Sequence, residues 1–584
     1  MGHTDKQTVR DLIWASFVQS AERPALGFVG DKLMTYGELR QRVENLGFHL
    51  TRLGYSKGDR VAILGPNSPE WAVVYLSLLS LGVVAVPILP DFHASEVSHI
   101  FGHAGIRGLF ASPKQLARLD QETIDSIPDI FSLDDFSILN DKAQPTLPES
   151  WRSYEPEGAL DPFTIPLDSD DLATLIYTSG TTGFSKGVML DNGNLVANVF
   201  QCAGIQPLEN GEVFLSILPL SHTYENTVGF LLPITFGAAI HYLDKAPTAA
   251  VLIPALKLVR PTYMLSVPLV IEKIYKAQIL GKVQGSALLK ILYKLPAFRK
   301  FFHRLAGKRL YATFGGRLKF FGIGGAKLDP GADRFLREAR FPYAIGYGLT
   351  ETAPLLAGAN PSKVRHQSTG VPVQGVEIRI NEPDEHTGIG EIWARGRNVM
   401  KGYYREPEIT AQVLTSDGWF RTGDLGIFDR DGNLYIKGRL KNVIIGASGE
   451  NIYPEEIESV INRFKFVMES VVVQQKGRLV ALVHFNMEEL EKQFQHLKDD
   501  ARQQIEKKIE ELKSELQHFV NTKVNKYSRI QAVVPYQEPF EKTPTNRLLV
   551  EKGALQVTTT AEEPTYKVRF APKSKTQLAD QVWN

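Results

Sequence analysis

The residues best suited to chemistry lie in one short segment rich in glycine and hydroxyl groups. It reads Tyr177-Thr-Ser-Gly-Thr-Thr-Gly-Phe-Ser-Lys-Gly-Val-Met-Leu190. Its glycines allow backbone N–H groups to point inward, its Ser and Thr hydroxyls (Ser185 among them) add donors, and Lys186 adds positive charge. Such a loop is suited to holding a polyphosphate. It is not a Walker A loop, because Gly187 stands where that pattern needs Ser or Thr.

Two carboxylates stand in further motifs that follow later in the chain. Glu351 belongs to Tyr347-Gly-Leu-Thr-Glu-Thr352 and Asp424 to Arg421-Thr-Gly-Asp424. A carboxylate is a hard oxygen ligand of the kind that Mg²⁺ prefers, and its two oxygens can accept two hydrogen bonds at once. In isolation, either residue is more typical of a turn or a helix cap.

The elements that must position these motifs alternate between strand and helix patterns. RVAILGP is followed by a helix over Glu70–Leu81 and then by VVAVPIL, and further strand patterns are TYMLSVP and LKFFGIGG. This alternation predicts a doubly wound α/β fold. The 20 uncharged residues from Trp71 to Pro90 are about enough to span a bilayer. Gly82 and the two prolines favour a buried helix followed by a strand instead.

Changes in the predicted secondary structure and in composition along the chain indicate where its domains begin and end. From Gly370 to Lys437 short strands with tight turns predict a small β unit, with a hairpin signal at Asp431-Gly432. Beyond this unit we expect a helix starting near Pro454, a strand hairpin, and a long helix with an apolar stripe from Leu490 to Val520. The predicted domains are 1–438, a mobile α+β domain over 439–552, and a loosely held polar tail over 553–584.

Composition excludes several classes of protein. The chain has 584 residues, is 43% hydrophobic and 22% charged, and carries a formal net charge of +1. These values exclude a disordered or collagen-like chain, and the balanced charge does not favour nucleic acid as a partner. The single cysteine, Cys202, excludes a disulfide framework and suits a reducing cytosol. The first residues lack the apolar core of a secretory signal, so we expect a cytoplasmic protein.

The phosphate-loop segment and the two carboxylate motifs, followed by Gly438-Arg-Leu-Lys-Asn-Val-Ile444, resemble the adenylate-forming superfamily. This superfamily includes acyl-CoA synthetases, luciferases and peptide-synthetase adenylation domains. The motifs occur in the family order, and the resemblance covers roughly residues 10–550. The segments Leu218-Pro-Leu-Ser-His-Thr-Tyr-Glu225 and Arg260–Pro268 are similar to long-chain fatty-acyl-CoA synthetases in particular.

The resemblance implies a fatty acid–CoA ligase that uses ATP, Mg²⁺ and coenzyme A. Carboxylate and ATP would give acyl-AMP and pyrophosphate, and CoA thiol would then give acyl-CoA and AMP. Glu351 would be the metal ligand, Lys441 the hinge between domains, and His222 with Gly324 part of the acyl pocket. The catalytic residues implied are Lys186, Glu351, Arg547 and His222, and the ATP or AMP contacts are Thr178, Ser179, Gly180, Thr181, Thr182, Gly183, Lys186, Gly325, Tyr347, Gly348, Thr350, Asp424 and Arg439.

Arg547 departs from the family pattern. In Phe540-Glu-Lys-Thr-Pro-Thr-Asn-Arg547 it occupies the position of the lysine that bridges the carboxylate and the α-phosphate during adenylation. A planar guanidinium and a compact ammonium are not interchangeable at a tight site, so a slowed or rearranged first step is expected. Two alternatives therefore stay open. One is a fatty-acyl-AMP ligase that loads a carrier protein, and the other is a catalytically impaired homologue that binds ATP and acyl groups.

One segment, 273–327, is basic and interleaved with apolar residues. Between Glu272 and Asp329 there are 13 Lys or Arg and no acidic residue. Such composition is typical of surfaces that lie on anionic lipid, which favours peripheral membrane contact through this segment. The alternatives are a solvated basic face and contact with the phosphates of CoA.

Overall fold

The computed structural model describes residues 7–139, 164–178, 185–446, 451–475, 477–487, 490, 501–536, 540, 555–560 and 563–570. The chain forms two compact units. The first comprises Met1–Pro383, Ile392–Thr422 and Ile427–Ile436, and the second comprises Asp384–Glu391, Gly423–Gly426 and Lys437–Asn584. The domain limits of the sequence analysis, 438 and 552, stay predictions.

The strands are short and occur throughout the described chain. In order they are β1 Pro24–Phe28, β2 Met34–Thr35, β3 Arg60–Leu64, β4 Val84–Ile88, β5 Gly108–Ala111, β6 Asp129–Ser132, β7 Leu172–Thr178, β8 Lys186–Asp191, β9 Val213–Ser216, β10 Ala239–Tyr242, β11 Tyr263–Ser266, β12 Phe320–Ile323, β13 Tyr343–Ile345, β14 Tyr347–Gly348, β15 Leu355–Gly358 and β16 Val371–Pro372. There follow β17 Val376–Asn381, β18 Gly390–Gly396, β19 Gly402–Tyr403, β20 Phe420–Phe428, β21 Leu434–Arg439, β22 Ile444–Ile445, β23 Asn451–Ile452, β24 Val467–Gln475, β25 Arg478–Phe485, β26 Ala532–Tyr536, β27 Leu555–Thr560 and β28 Glu563–Phe570.

Helices connect most of these strands. They are α1 Val9–Gln19, α2 Tyr36–Arg52, α3 Pro69–Leu81, α4 Ala94–Ala104, α5 Pro113–Leu116, α6 Gln121–Asp125, α7 Asn192–Ile205, α8 Leu232–Thr235, α9 Ala249–Val259, α10 Pro268–Tyr275, α11 Gly281–Gln284, α12 Ala287–Tyr293, α13 Pro296–Thr313, α14 Pro330–Ala339, α15 Pro407–Val413, α16 Pro454–Ile461 and α17 Ala501–Asn521. Two π-helices span Glu225–Leu231 and Lys276–Leu280.

Two seven-stranded sheets, both largely parallel, make up most of the first unit. Their strand orders are β13-β12-β11-β9-β10-β1-β2 and β19-β8-β7-β4-β3-β5-β6. The first sheet is parallel except at β2, and the second is antiparallel only where β7, β8 and β19 pair. Parallel strands need helical crossovers, which cover the faces of the sheets. The predicted α/β fold is confirmed.

The apolar stretch from Trp71 to Pro90 forms a buried helix and a buried strand. Ser68 caps the start of α3, and the helix ends at Gly82, which adopts the left-handed conformation with φ of 71°. Helix α3 contacts β3 and β4 of one sheet and β1 of the other, so it lies in the layer between them. Each large apolar side chain buried there stabilises the fold by roughly 1.5–3 kcal/mol.

The later part of the chain contains smaller sheets. Strands β17, β18, β20 and β21 form a four-stranded sheet, as the texture of 370–437 predicts. In the second unit, β24 and β25 form the predicted antiparallel hairpin, and β26 adds in parallel to β25. Helix α17 buries Leu512, Leu516 and Val520 in the core of this unit. The part of the apolar stripe between 491 and 500 lies outside the described residues.

The tail contains more regular structure than its composition suggests. Strands β27 and β28 pair with each other in an antiparallel ladder. This hairpin was not predicted from the sequence, although its Thr, Val and Tyr residues have high strand propensity. Within the parts of the chain that the structure describes, no helix is both long and apolar enough to cross a membrane.

Candidate active site

The segment rich in glycine and hydroxyl groups connects two antiparallel strands. Thr178 at the end of β7 and Lys186 at the start of β8 are directly opposite each other in the ladder. The strands therefore hold both ends of the loop at one edge of the sheet. Ser179, Gly180, Thr181, Thr182 and Gly183 lie outside the described residues, so their contacts with phosphate stay predictions.

Ser185 differs from the sequence expectation. We expected its hydroxyl to serve a phosphate, but it is buried and donates a hydrogen bond to Oε1 of Glu96. Glu96 lies in α4, 89 positions earlier in the chain. A hydroxyl that is already donating to a carboxylate is not available to a ligand, so in this structure Ser185 anchors the base of the loop.

Lys186 and Glu351 are brought together by a tyrosine. The hydroxyl of Tyr403 donates to Oε1 of Glu351 at 2.8 Å, and Nζ of Lys186 lies 5.4 Å from the centroid of the Tyr403 ring. Strand β19 positions Tyr403 by pairing with β8, opposite Val188. A cation and a carboxylate thus share one neighbour, an arrangement suited to a polyphosphate and its metal ion.

Glu351 is the residue for which the resemblance implies a role as magnesium ligand. It is half-buried in a 3-10 turn, and its backbone carbonyl accepts from the N–H of Met400 at 2.9 Å. Among the described residues no group of three His, Cys, Asp or Glu side chains is arranged to hold a metal. A single protein carboxylate is consistent with Mg²⁺, which usually keeps several waters and takes its other ligands from substrate phosphates.

Tyr403 was missed by the sequence reasoning. Nothing local distinguishes it from Tyr404, and its partners Glu351 and Lys186 are 52 and 217 positions away along the chain. Only the pairing of β19 with β8 selects it. The signal that could have found it is the strand pattern at 402–403 placed beside the strand that follows the loop.

Replacing Tyr403 with Phe should raise the Mg²⁺ concentration that the reaction requires, and should change the rate at saturating Mg²⁺ less. The ring beside Lys186 remains, but Glu351 loses a hydrogen bond to a charged oxygen, which is worth about 1.5–3 kcal/mol. We expect the Mg²⁺ concentration for half-maximal ATP–pyrophosphate exchange to rise about tenfold, with a smaller change at saturating Mg²⁺. An unchanged Mg²⁺ curve would show that Tyr403 does not orient the carboxylate.

The segments 324–325 and 346–348 follow neighbouring parallel strands. Ile323 of β12 is paired with Ile345 of β13, so Gly325 and Gly348 leave the sheet at the same carboxyl edge. Ligands of open α/β sheets bind outside the carboxyl ends of the strands. Gly325 has a φ of 87°, and Thr350 starts the turn that carries Glu351. The predicted nucleotide contacts of this region therefore lie on a fitting edge of the sheet.

Tyr347 is only 8% exposed and packs in the main hydrophobic core. Its contact with ATP or AMP, which the resemblance implies, stays a prediction.

Asp424 and Arg439 are paired within the second unit. Nε of Arg439 lies 2.6 Å from Oδ1 of Asp424, and the Asp424 side chain is 7% exposed. The resemblance implies that both residues contact the same nucleotide, and their proximity is consistent with a shared ligand. Lys441, the predicted hinge, is exposed in the 3-10 turn Leu440–Asn442 between β21 and β22.

An apolar cavity lies beside the carboxyl edge in the first unit. It has a volume of about 50 Å³ and runs along β11, β12 and β13. Its lining consists mainly of apolar and glycine residues from the sheet, α7, β15 and the first π-helix: Cys202, Ile205, Gln206, Phe214, Tyr224, Val228, Leu232, Tyr263, Leu265, Phe320, Gly322, Ala344, Ile345, Gly346, Leu355, Gly358 and Ala359. Phe214, Tyr263 and Phe320 form a row of neighbouring aromatic rings at its amino end.

His222 and Gly324, the predicted acyl-pocket residues, are both next to Tyr224. Nδ1 of His222 accepts a hydrogen bond from the Tyr224 backbone N–H at 3.2 Å, which places the proton of a neutral imidazole on Nε2. A Cβ on Gly324 would lie 3.1 Å from the Tyr224 ring. Tyr224 itself lines the cavity, with Gly324 against its ring and His222 bonded to its backbone.

Glu225 is a fully buried carboxyl on the same π-helix. Burial raises its pKa to about 8, while a hydrogen bond from the Ser216 hydroxyl at 2.6 Å acts to lower it. A Cβ on Gly229 would lie 2.6 Å from the carboxyl group, so the packing is tight. Desolvation favours the neutral acid, and π-helices are often found at functional sites.

Arg547 and the neighbouring Lys542 and Lys552 lie outside the described residues. The role assigned to Arg547 from the sequence stays a prediction.

Comparison with known proteins identifies the family. Residues 13–404 match the model of the AMP-binding enzyme family. The chain therefore belongs to the AMP-binding enzymes.

Individual proteins agree with this assignment. A long-chain-fatty-acid–CoA ligase of Mycobacterium tuberculosis is 31% identical over 75% of this chain and 75% of its own length. A peroxisomal long chain acyl-CoA synthetase of Arabidopsis thaliana is 29% identical over 95% of this chain and 82% of its own. The structure of a Bacillus subtilis O-succinylbenzoate coenzyme A synthetase, in complex with ATP and magnesium ion, has a TM-score of 0.71. It is 22% identical and covers 93% of this chain and 98% of its own.

Proposed function

We propose that the chain is an AMP-forming ligase that activates a long-chain fatty acid as acyl-AMP and transfers the acyl group to coenzyme A. The observation that carries the proposal is the convergence of Lys186 and Glu351 on Tyr403, at the end of the hairpin whose loop is suited to a polyphosphate. The relatives named as long-chain acyl-CoA synthetases support the same reaction and substrate class.

The first step joins two anions, so the site has to supply positive charge. A fatty-acid carboxylate attacks the α-phosphate of ATP, and pyrophosphate leaves in line with the new bond. We propose that Lys186 and the loop hold the β- and γ-phosphates, and that Thr350 contacts the α-phosphate. Glu351 would hold Mg²⁺, which neutralises phosphate charge when bound. Asp424 would bind the ribose, Arg439 would reach the ribose or a phosphate, and Arg547 would bridge the carboxylate and the α-phosphate.

The apolar cavity is the proposed beginning of the acyl site, because its volume of about 50 Å³ has room for only a few carbon atoms of a long chain. It begins beside Gly322 and Gly346 at the carboxyl edge, next to the proposed nucleotide site, and extends toward Phe320 and Tyr263. Apolar lining suits an alkyl chain, because transfer of each CH₂ from water is worth about 0.8 kcal/mol. Tyr224, supported by Gly324 and adjacent to His222, lies where the chain would enter.

The second step is attack by the thiol of CoA on the acyl-adenylate. It requires no protein nucleophile, and Cys202 is buried with its pKa raised by burial to about 12, so that it is a neutral thiol. We propose that a rotation of the C-terminal region about Lys441 separates the two steps. An exposed turn that follows directly on β21 is a suitable hinge, because hinges are commonly a few residues at the end of an element.

The experiment that tests the proposal is ATP–pyrophosphate exchange with a panel of fatty acids, with and without CoA. We expect acid-dependent exchange and CoA-dependent formation of AMP and acyl-CoA. Consumption of purified acyl-AMP by a carrier protein but not by CoA would identify the carrier-loading ligase instead. The Arg547→Lys and Arg547→Ala variants belong in the same assay.

Arg547→Ala should lower exchange by about 10²–10³, the cost of losing a positioned charge at a transition state. Arg547→Lys should retain or improve it, since the ammonium is the family residue. If wild type and Arg547→Ala are equally inactive while Arg547→Lys is active, the wild-type chain is an impaired homologue and the proposal of full turnover is wrong.

We further propose that α12 and α13 make peripheral contact with anionic membranes. Leu288, Ile291 and Phe301 are 65%, 65% and 66% exposed, and the neighbouring Lys290, Lys294 and Lys300 are also exposed. The opposite face of α13 packs inward through Phe302 and the fully buried His303. A surface with exposed apolar groups among cations suits a lipid interface, where a fatty acid is also dissolved.

Wild-type protein should co-sediment with vesicles of phosphatidylcholine and phosphatidylglycerol, and binding should fall steeply with added salt. Each cation near an anionic surface contributes about 1 kcal/mol. Replacing Leu288, Ile291 and Phe301 with Ser should weaken binding at least about tenfold, whereas the equally exposed Val18→Ser and Leu258→Ser pair should not. Binding that ignores both salt and lipid charge would contradict the proposed contact.

A further inference from the structure

A basic pocket lies between helices α13 and α14, outside the proposed active site. It is an open surface pocket of about 260 Å³, lined by Lys300, Arg304, Arg337, Arg340 and Glu338. This volume is just below the range of roughly 300–1,000 Å³ for sites that take drug-sized ligands. Its volume therefore suits a small group, and its basic lining suits a negatively charged one.

Close helix packing brings the four cations together. A Cβ on Gly307 of α13 would lie 2.5 Å from Cβ of Ala339 of α14, so only glycine permits this approach. Lys300 and Arg304 are one helical turn apart on α13, and thus lie on the same face. Arg337 and Arg340 lie at the end of α14, and Arg340 adopts the left-handed conformation just beyond the helix.

Glu338 is already neutralised by another residue. Nη2 and Nε of Arg299 lie 2.9 Å and 3.2 Å from its two oxygens, and Nδ1 of the buried His303 is 2.8 Å from Oε2. Burial acts to raise the pKa of Glu338, but the bonds and charge of Arg299 outweigh it and lower the pKa. Its charge is therefore balanced within the pocket wall and is not shared with the four cations.

The four cations have no carboxylate partner among the described residues. The ion pairs of α13 and α14 within 4.0 Å join Arg299 and His303 to Glu338 and His366 to Asp333, and none of them involves Lys300, Arg304, Arg337 or Arg340. Four like charges around one cavity repel one another, and the repulsion is relieved by an anion. Arginine forks match phosphate oxygens in a bidentate geometry, and a phosphomonoester offers three such oxygens.

The rim of the pocket is apolar on the side of the proposed membrane surface. Phe301 and Leu305 are 66% and 46% exposed, and each directly follows a pocket cation on α13. Successive residues of a helix are about 100° apart, so the two apolar side chains form a stripe beside Lys300 and Arg304. An anion bound in the pocket would therefore lie next to an exposed apolar surface, which the acyl chains of a lipid could contact.

We propose that the basic pocket of Lys300, Arg304, Arg337 and Arg340 binds the phosphomonoester group of an anionic phospholipid. The pocket supplies a specific head-group site beside the less specific basic and apolar surface of α12 and α13. This inference rests on the proposed membrane contact, but not on the proposed ligase reaction.

The test compares vesicles that contain phosphatidic acid, a phosphomonoester, with vesicles that contain phosphatidylglycerol, a phosphodiester, at matched surface potential. Wild type should prefer phosphatidic acid about tenfold, which corresponds to about 1.4 kcal/mol. Arg304→Gln/Arg337→Gln should remove the preference. The control Lys308→Gln/Arg309→Gln removes two exposed cations from the same region of α13 without changing the pocket lining, and it should keep the preference.

Two further binding measurements distinguish a failure of the membrane contact from a failure of head-group binding. Soluble dihexanoyl phosphatidic acid should bind wild type and not the pocket variant even if vesicle binding fails, since membrane contact and head-group binding are then measured apart. CoA and dephospho-CoA differ in a 3′-phosphate, and a preference for CoA that the pocket variant loses would assign the pocket to CoA and overturn the lipid proposal. Equal losses in the pocket and control variants would show that charge alone matters, which also overturns it. Ligase activity on a soluble acid should be unchanged in both variants.

Discussion

Replacing Glu351 with Gln should reduce ATP–pyrophosphate exchange by about 10²–10³, equivalent to roughly 2.7–4 kcal/mol of transition-state stabilisation. The amide keeps the shape of the side chain and can still accept from the Tyr403 hydroxyl, which lies 2.8 Å from Oε1. It loses the negative charge, and a neutral amide is a much weaker ligand for Mg²⁺. The backbone bond from Met400 to the Glu351 carbonyl does not depend on the side chain, so the fold should be unaffected.

The measurement is exchange as a function of Mg²⁺, with thermal unfolding as a check on folding. A metal-binding role predicts that high Mg²⁺ partly rescues Glu351→Gln. Tyr403→Phe is the complementary variant, because it removes the hydrogen bond but keeps the charge, whereas Glu351→Gln removes the charge and can keep the bond. If Glu351→Gln loses no more activity than Tyr403→Phe at any Mg²⁺ concentration, the charge of Glu351 is not needed and Glu351 is not the metal ligand.

The fold was predicted best where a local sequence pattern is compatible with only one kind of secondary structure. The stretch from Trp71 to Pro90 is too rich in β-branched residues after Gly82 to continue as a helix, and burial on both faces explains its lack of charge. The structure has α3 and β4 there, with Gly82 at the junction. The tail hairpin of β27 and β28 was not anticipated, because its polar residues gave no sign of a buried face.

The site was predicted in part, because its motifs are local but its contacts are not. Thr178 and Lys186 flank the loop in the sequence, and their pairing across β7 and β8 follows from strand geometry. Tyr403 could not be found in this way, because β19 reaches β8 from more than 200 positions away. The hydrogen bond from Ser185 to Glu96 could not be predicted for the same reason, because the two residues are 89 positions apart. Sequence patterns indicate which chemistry is available, whereas tertiary packing decides which groups are already occupied.

The electrostatic environment of Glu225 could not be predicted from the sequence either. Glu225 looks like an ordinary acid beside a histidine in the segment from Leu218 to Glu225. The residue is about 1% exposed, and its carboxyl group accepts a hydrogen bond from the Ser216 hydroxyl. Both facts depend on how the π-helix packs, and the pattern of residues around 225 contains no signal for a π-helix.

Glu225 should make the stability of the first unit fall as the pH rises from about 4.5 to about 8. Its pKa is about 8 in the folded chain, against a usual value of 4.5 for an exposed glutamic acid. Between these values the folded state binds a proton that the unfolded state has released, so the stabilisation present below pH 4.5 is lost progressively. For one proton the slope is about 1.4 kcal/mol per pH unit. Above pH 8 the carboxyl is ionised in both states and the slope ends.

The Glu225→Gln variant should abolish this slope. The amide resembles the neutral acid, and any cost of its buried N–H groups is the same at every pH, so it shifts the curve without tilting it. The measurement is the free energy of unfolding in urea from pH 5 to 8.5, taken as the difference between variant and wild type. Glu122→Gln changes an exposed glutamate and should leave the difference flat. A flat difference for Glu225→Gln as well would mean that Glu225 is ionised in the folded chain, with water or a cation beside it, and that the π-helix carries a charge next to the acyl cavity.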